Sequence, residues 1–129
     1  MTKRLKNYFV MALLLIVGLT FFSACSSSST RINYDLTASD TYATSMVQNI
    51  QNDPYKYSGK TLKVWGKFKG SSSYYTLNEN ASCCRWSFEV KLDGVTAPDS
   101  GDNVTVVGKC IVEKTNGTTS WYLKVNEID

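Results

Sequence analysis

From Lys60 onward the chain alternates apolar and polar residues with a period of two. In KTLKVWGKFKG, Leu62, Val64, Gly66 and Phe68 share one parity and the lysines take the other. SYYTLNE reads as a short second strand. CCRWSFEVKL sets Cys84, Trp86, Phe88, Val90 and Leu92 against Arg85, Ser87, Glu89 and Lys91. DNVTVVGKCIVEK turns Val104, Val106, Gly108, Cys110 and Val112 one way, and SWYLKVNEID does the same with Trp121, Leu123 and Val125. Such alternation marks half-buried strands. APDSGDN and NGTT lie between them as turn signals. Five strands with short connections predict a small antiparallel barrel or sandwich.

Two other patterns precede the strands. In TASDTYATSMVQNIQND, Tyr42, Met46, Val47 and Ile50 recur on one helical face. Ser39 or Asp40 can cap its start, and Asp53-Pro54 ends it because a residue before proline avoids the α region. One amphipathic helix is expected over about 38–52, after a polar linker at 26–36. At the start, Lys3, Arg4 and Lys6 precede an apolar run from Phe9 to Phe22 that closes in small residues before Cys25. That is the layout of a secretory signal peptide. The run is shorter than the roughly 20 apolar residues of a membrane span.

The segment FSAC resembles the bacterial lipobox: an aliphatic residue, two small residues, then Cys. Phe22 replaces the usual aliphatic. The resemblance implies cleavage before Cys25 and lipidation there, with SSSST as a flexible tether. Expected organisation is a lipoprotein signal peptide at 1–24, a lipidated tether at 25–37 and one domain at 38–129, lipid-anchored outside the cytoplasm on a bacterial cell membrane or outer membrane. Charge then changes meaning. The chain has 14 Lys+Arg against 11 Asp+Glu; removing Lys3, Arg4 and Lys6 with the leader leaves the mature chain neutral. The apparent basicity belongs to the export signal and argues for no polyanion partner.

Two strands carry a glycine of inward parity followed by lysine, Gly66-Lys67 and Gly108-Lys109. A mid-strand glycine marks a bulge or sharp bend, as a small barrel needs where a long strand passes from one sheet to the next. YKYSGKTLKVWGKF, then CCRWSFEV, then PDSGDNVTVVGKC, resembles a group of small bacterial OB-fold proteins, often lipoproteins. The resemblance covers about residues 40–129. It implies a mainly β fold, a five-stranded OB-like barrel preceded by one amphipathic α-helix. DGVTAPDS is too short for the helix that usually joins strands three and four, so the preceding helix is expected to plug one barrel end.

The chain has no histidine. That removes His-based acid–base catalysis and the commonest metal ligand. Gly59-Lys60-Thr61 lacks the upstream glycine of a phosphate loop and precedes a strand. No catalytic residue, metal site or cofactor is assigned. Trp65, Tyr74, Tyr75 and Tyr122, with Lys63 and Lys67, form the candidate ligand-facing surface. Single-strand nucleic-acid binders combine such aromatics with a basic groove, but a neutral chain outside the cell is not expected to bind nucleic acid. An envelope protein or small ligand is the expected partner, besides the membrane that holds the lipid.

Export places Cys83, Cys84 and Cys110 where disulfides persist. Neighbouring strand residues face opposite ways, so Cys83 and Cys84 make a poor disulfide pair or chelate. With the OB-fold strand order, the start of strand three lies at the same barrel end as the finish of strand four. A Cys84–Cys110 disulfide is therefore the leading expectation, worth roughly 3 kcal/mol for a loop of about 25 residues, and leaves Cys83 as a free thiol. Reduced core cysteines, a copper or zinc site and redox exchange stay open. The expected function is a non-catalytic binding or scaffolding module. The alternative is a thiol-based metal-binding or redox lipoprotein using Cys83, Cys84 and Cys110.

Overall fold

The computed structural model describes residues 30–72, 74–80 and 85–129. Along the chain run β1 (Tyr34–Asp35), α1 (Asp40–Asn52), a 3-10 turn at Pro54–Tyr57, β2 (Thr61–Gly70), β3 (Tyr75–Asn78), β4 (Ser87–Leu92), β5 (Asn103–Thr115) and β6 (Thr118–Ile128). The signal-peptide segment, Cys25, Cys83 and Cys84 lie outside the described residues. Among the described residues no helix is long and apolar enough to cross a membrane.

Strands β2 to β6 close on themselves in the order β2-β3-β4-β6-β5, with β5 pairing back to β2. Every neighbouring pair is antiparallel except β4 with β6, which run parallel. The result is the expected OB-like five-stranded barrel with one helix before it. Its interior is built from the predicted parity: Leu62, Val64 and Phe68, then Phe88 and Val90, Val104 and Val106, Leu123 and Val125, all buried.

Both inward glycines stand where backbones touch. A Cβ on Gly66 would lie 2.6 Å from the Asn78 carbonyl oxygen and 3.1 Å from the Trp86 ring. A Cβ on Gly108 would lie 2.6 Å from the Lys124 carbonyl oxygen, and the β5–β6 register shifts between Val107 and Gly108. The bulge read from the sequence is therefore at Gly108, while Gly66 is the point of close approach across β2 and β3. The β5–β6 hairpin turns at Asn116 and Gly117, with φ of 51° and 80°, the paired left-handed geometry that Asn-Gly favours.

α1 starts two residues later than the sequence pattern suggests. Ser39 caps it, its Oγ accepting from the Tyr42 N–H at 3.1 Å. Ala43, Met46, Val47 and Ile50 face inward and merge with the barrel interior in one hydrophobic cluster. The N-terminal turn of α1 adjoins Trp65 and Trp86, and Gln51 near its other end adjoins Phe88 and Trp121. The helix thus crosses the barrel end where β4 and β6 begin.

Residues 34–37 belong to the fold, not to a tether. Because β3 is short, it pairs only with Lys67–Gly70 of β2. The β2 edge at Leu62 and Lys63 is left open, and β1 pairs with it in parallel. The Asn33 N–H donates to the Thr61 carbonyl and the Leu36 N–H to that of Lys63, while Leu36 enters the core. A two-residue strand has no period to read, so the sequence showed only a polar linker.

Candidate functional site

Of the aromatics expected on the surface, Trp65 and Tyr74 are exposed, at 41% and 53%. Trp65 stands apart from the other three. Trp65 stands on the outward parity of β2, opposite Thr105, between Lys63 and Lys67. Tyr75 is half-buried and tilts against Phe68 with ring centroids 5.3 Å apart. Tyr122 is also half-buried. Its hydroxyl donates to Glu113 at 3.2 Å and the Lys91 ammonium sits 4.1 Å over its ring. Partial burial and the neighbouring Glu113 carboxylate push its phenol upward.

Tyr74 lines a shallow groove of about 430 Å³ with Tyr75, Glu89, Lys91 and Val95 on the outside of β3 and β4. Trp65 lines a narrower recess, between the first turns of α1 and the barrel rim. Its walls are Leu36, Thr37, Asp40, Ala43, Trp65, Glu79, Asn80 and Trp86.

Local chemistry builds each wall of that recess. The Asp35 carboxylate accepts from the Thr37 N–H at 2.9 Å and from its hydroxyl. This fixes the turn from β1 into α1, and those two bonds hold the Asp35 carboxyl below its ordinary pKa. Opposite, Glu79 is 5% exposed. Its N–H donates to the Trp86 carbonyl at 3.1 Å. Its carboxylate accepts the Arg85 N–H at 2.6 Å and the Arg85 guanidinium at 2.8 and 3.0 Å. Burial pushes the Glu79 carboxyl upward, but the hydrogen bonds and charge of Arg85 outweigh it, so its pKa falls below the ordinary value. Glu79 and Arg85 therefore clamp together the two ends of the segment that carries Cys83 and Cys84. The sequence reading missed this clamp. An acid six residues before an arginine across a turn-rich stretch was the available signal.

Trp86 forms the floor. Its ring edge lies against Gly66, and its face stacks on Phe88 at 5.6 Å, which in turn meets Trp121 at 5.1 Å. Trp86 is 5% exposed, and its Nε1–H has no hydrogen-bond partner among the described residues.

The thiol chemistry narrows at Cys110. It is a free, fully enclosed thiol, which burial pushes up to about 11. At neutral pH it is protonated, and thiols bind metals and attack disulfides as thiolates. It pairs with Leu123, which pairs with Val90. Cys110 is thus mid-strand, five residues before the end of β5, and not near the strand finish as the Cys84–Cys110 pairing assumed. No disulfide is present among the described residues, and no three His, Cys, Asp or Glu side chains cluster there. Compared with protein-family models and with curated proteins, the chain matches none.

Proposed function

We propose that this chain is a lipid-anchored extracytoplasmic binding module, non-catalytic, held at the membrane through Cys25. The observation that carries the binding role is the recess beneath Trp65. There the exposed Trp65 indole stands beside a recess with the polar walls Thr37, Asp40, Glu79 and Asn80. An exposed aromatic face and several polar side chains meet there at one opening, and that combination supports a binding role. The lipobox-like FSAC and the resemblance to small OB-fold lipoproteins support the anchored location. The thiol alternative is weaker, because Cys110 is sealed in the core as a protonated thiol.

Fractionation of cells producing the full chain tests the anchor. The protein is expected in the membrane fraction with an acylated Cys25, and Cys25→Ala is expected in the soluble fraction. Undiminished membrane retention of Cys25→Ala would refute it.

A further inference from the structure

We infer that the barrel rests on anionic phospholipid headgroups through a lysine row, Lys109, Lys124 and Lys91, that starts where the tether joins the fold. This goes beyond the binding-module reading and rests on the lipid anchor at Cys25. The row is a matter of register. Lys109 pairs with Lys124 across β5 and β6, and Lys124 pairs with Lys91 across β6 and β4. Their chain neighbours Cys110, Leu123 and Val90 are buried in the barrel. Alternation therefore turns all three lysines outward, and all three are exposed. Like charges directly opposite on a sheet destabilise it, so folding alone does not select this row. Lys91 lies 4.1 Å over the Tyr122 ring, where Glu89 and Glu113 also act and offset its charge. Lys124 meets Asp93 at 3.7 Å with both side chains at least half exposed, a contact of small worth. Among the described residues Lys109 has no ion pair. The positive centre is thus Lys109 with Lys124. Between them and Asp93, Ile111 and Asn126 lies an open groove of about 320 Å³, roomy enough for a phosphodiester headgroup.

The place of the tether selects the occupant. The Asn33 N–H donates to the Thr61 carbonyl, and the Asn33 Oδ1 accepts from the Thr61 N–H, each at 2.9 Å. Thr61 pairs with Lys109, so the chain leading back to Cys25 departs beside the row. Asn33 is eight residues after Cys25, a reach of at most about 26–29 Å. The three strand spacings from Thr61 to Lys91 cover only about 14–15 Å. A lipid at Cys25 therefore holds the row within one tether length of the headgroups. Docking is then intramolecular, and a modest attraction suffices. Arg31 and Lys60, at the same end, are exposed, and Ile32 is 39% exposed. Cations beside an apolar side chain suit the headgroup boundary. The mature chain is neutral overall, so the attraction is local to this face.

The test is lysine acetylation of the lipidated protein on vesicles of phosphatidylcholine, with or without phosphatidylglycerol, read residue by residue through peptide mapping. With phosphatidylglycerol, Lys109 and Lys124 are expected to react about fivefold more slowly, the attraction of one lysine to an anionic surface. Lys69 and Lys114 are expected to keep one rate on both vesicles, and added salt to remove the difference. In Lys109→Gln/Lys124→Gln, Lys91 is expected to react alike on both. Equal rates at Lys109 and Lys124, or equal slowing of Lys69 and Lys114, in protein that floats with both vesicles would overturn the face and leave the anchor standing. Protein that floats with neither vesicle overturns the anchor and the face together. Equal protection by soluble polyphosphate on neutral vesicles would assign the row to a polyanion in solution and overturn the inference.

Discussion

Gly66→Ala tests how the barrel and its recess share one contact. Gly66 does not have positive φ, so alanine can adopt its backbone. Reduced freedom of the unfolded chain would then stabilise the variant by about 0.4–1 kcal/mol. Space decides otherwise. The new methyl would lie 2.6 Å from the Asn78 carbonyl oxygen, a backbone atom of β3, and 3.1 Å from both Leu77 and the Trp86 ring. Lys67 pairs with Asn78 in the β2–β3 ladder, so the oxygen cannot retreat without breaking the ladder. Overpacking of this kind costs about 1–3 kcal/mol and exceeds the entropic gain. Net destabilisation of about 1–2 kcal/mol is expected, or roughly 4–8 °C in Tm per kcal/mol for a domain of this size. Urea and thermal unfolding measure it, with exposed Ser87→Ala as a control within about 0.5 kcal/mol. If Gly66→Ala is as stable as the parent, the close approach of β2, β3 and Trp86 is wrong.

Other consequences follow from single side chains. Glu79 has a folded pKa below its ordinary value of 4.5, so it contributes stability above that pH and loses it as the pH falls through the folded pKa. Glu79→Gln should lower stability at neutral pH by about 1–3 kcal/mol and flatten the acid limb of the stability–pH curve. A parallel acid limb in both proteins would contradict the clamp. Cys110 should resist iodoacetamide at neutral pH in the folded protein and react on unfolding, as peptide mapping would show. Its ready alkylation under native conditions would place it outside the core.

Much of the barrel was legible because alternation is a direct print of a pleated, half-buried sheet. Leu62, Val64 and Phe68, or Leu123 and Val125, have no second reading once a core face is assumed. Gly108 announced its bulge for a similar reason. Met46, Val47 and Ile50 were equally plain, and of the two cap candidates Ser39 serves, but Tyr42, read onto the same face, is exposed and Ala43 takes the inward place. What escaped the sequence was relational. β1 exists because β3 is too short to cover β2, a fact about register. Tyr74 precedes β3 and is exposed, while Tyr75 opens the strand and meets Phe68, a difference that depends on where the strand starts. The position of Cys110 along β5 depended on where that strand ends, five residues further on than the sequence argument needed. The recess itself joins the turn after β1, the first turns of α1, β2 and the residues that follow β3 and precede β4, and only Trp65 among them had been read as ligand-facing.

Binding at this recess is tested most directly in living cells by photo-cross-linking from the full chain. A photoreactive residue in place of Thr37, on the recess wall, is compared with one in place of Lys114, on the exposed β5–β6 hairpin. A discrete adduct is expected from position 37, lost when Trp65→Ala is added, and none from position 114. An adduct that survives Trp65→Ala, or equal adducts from both positions, would contradict a binding role for the recess.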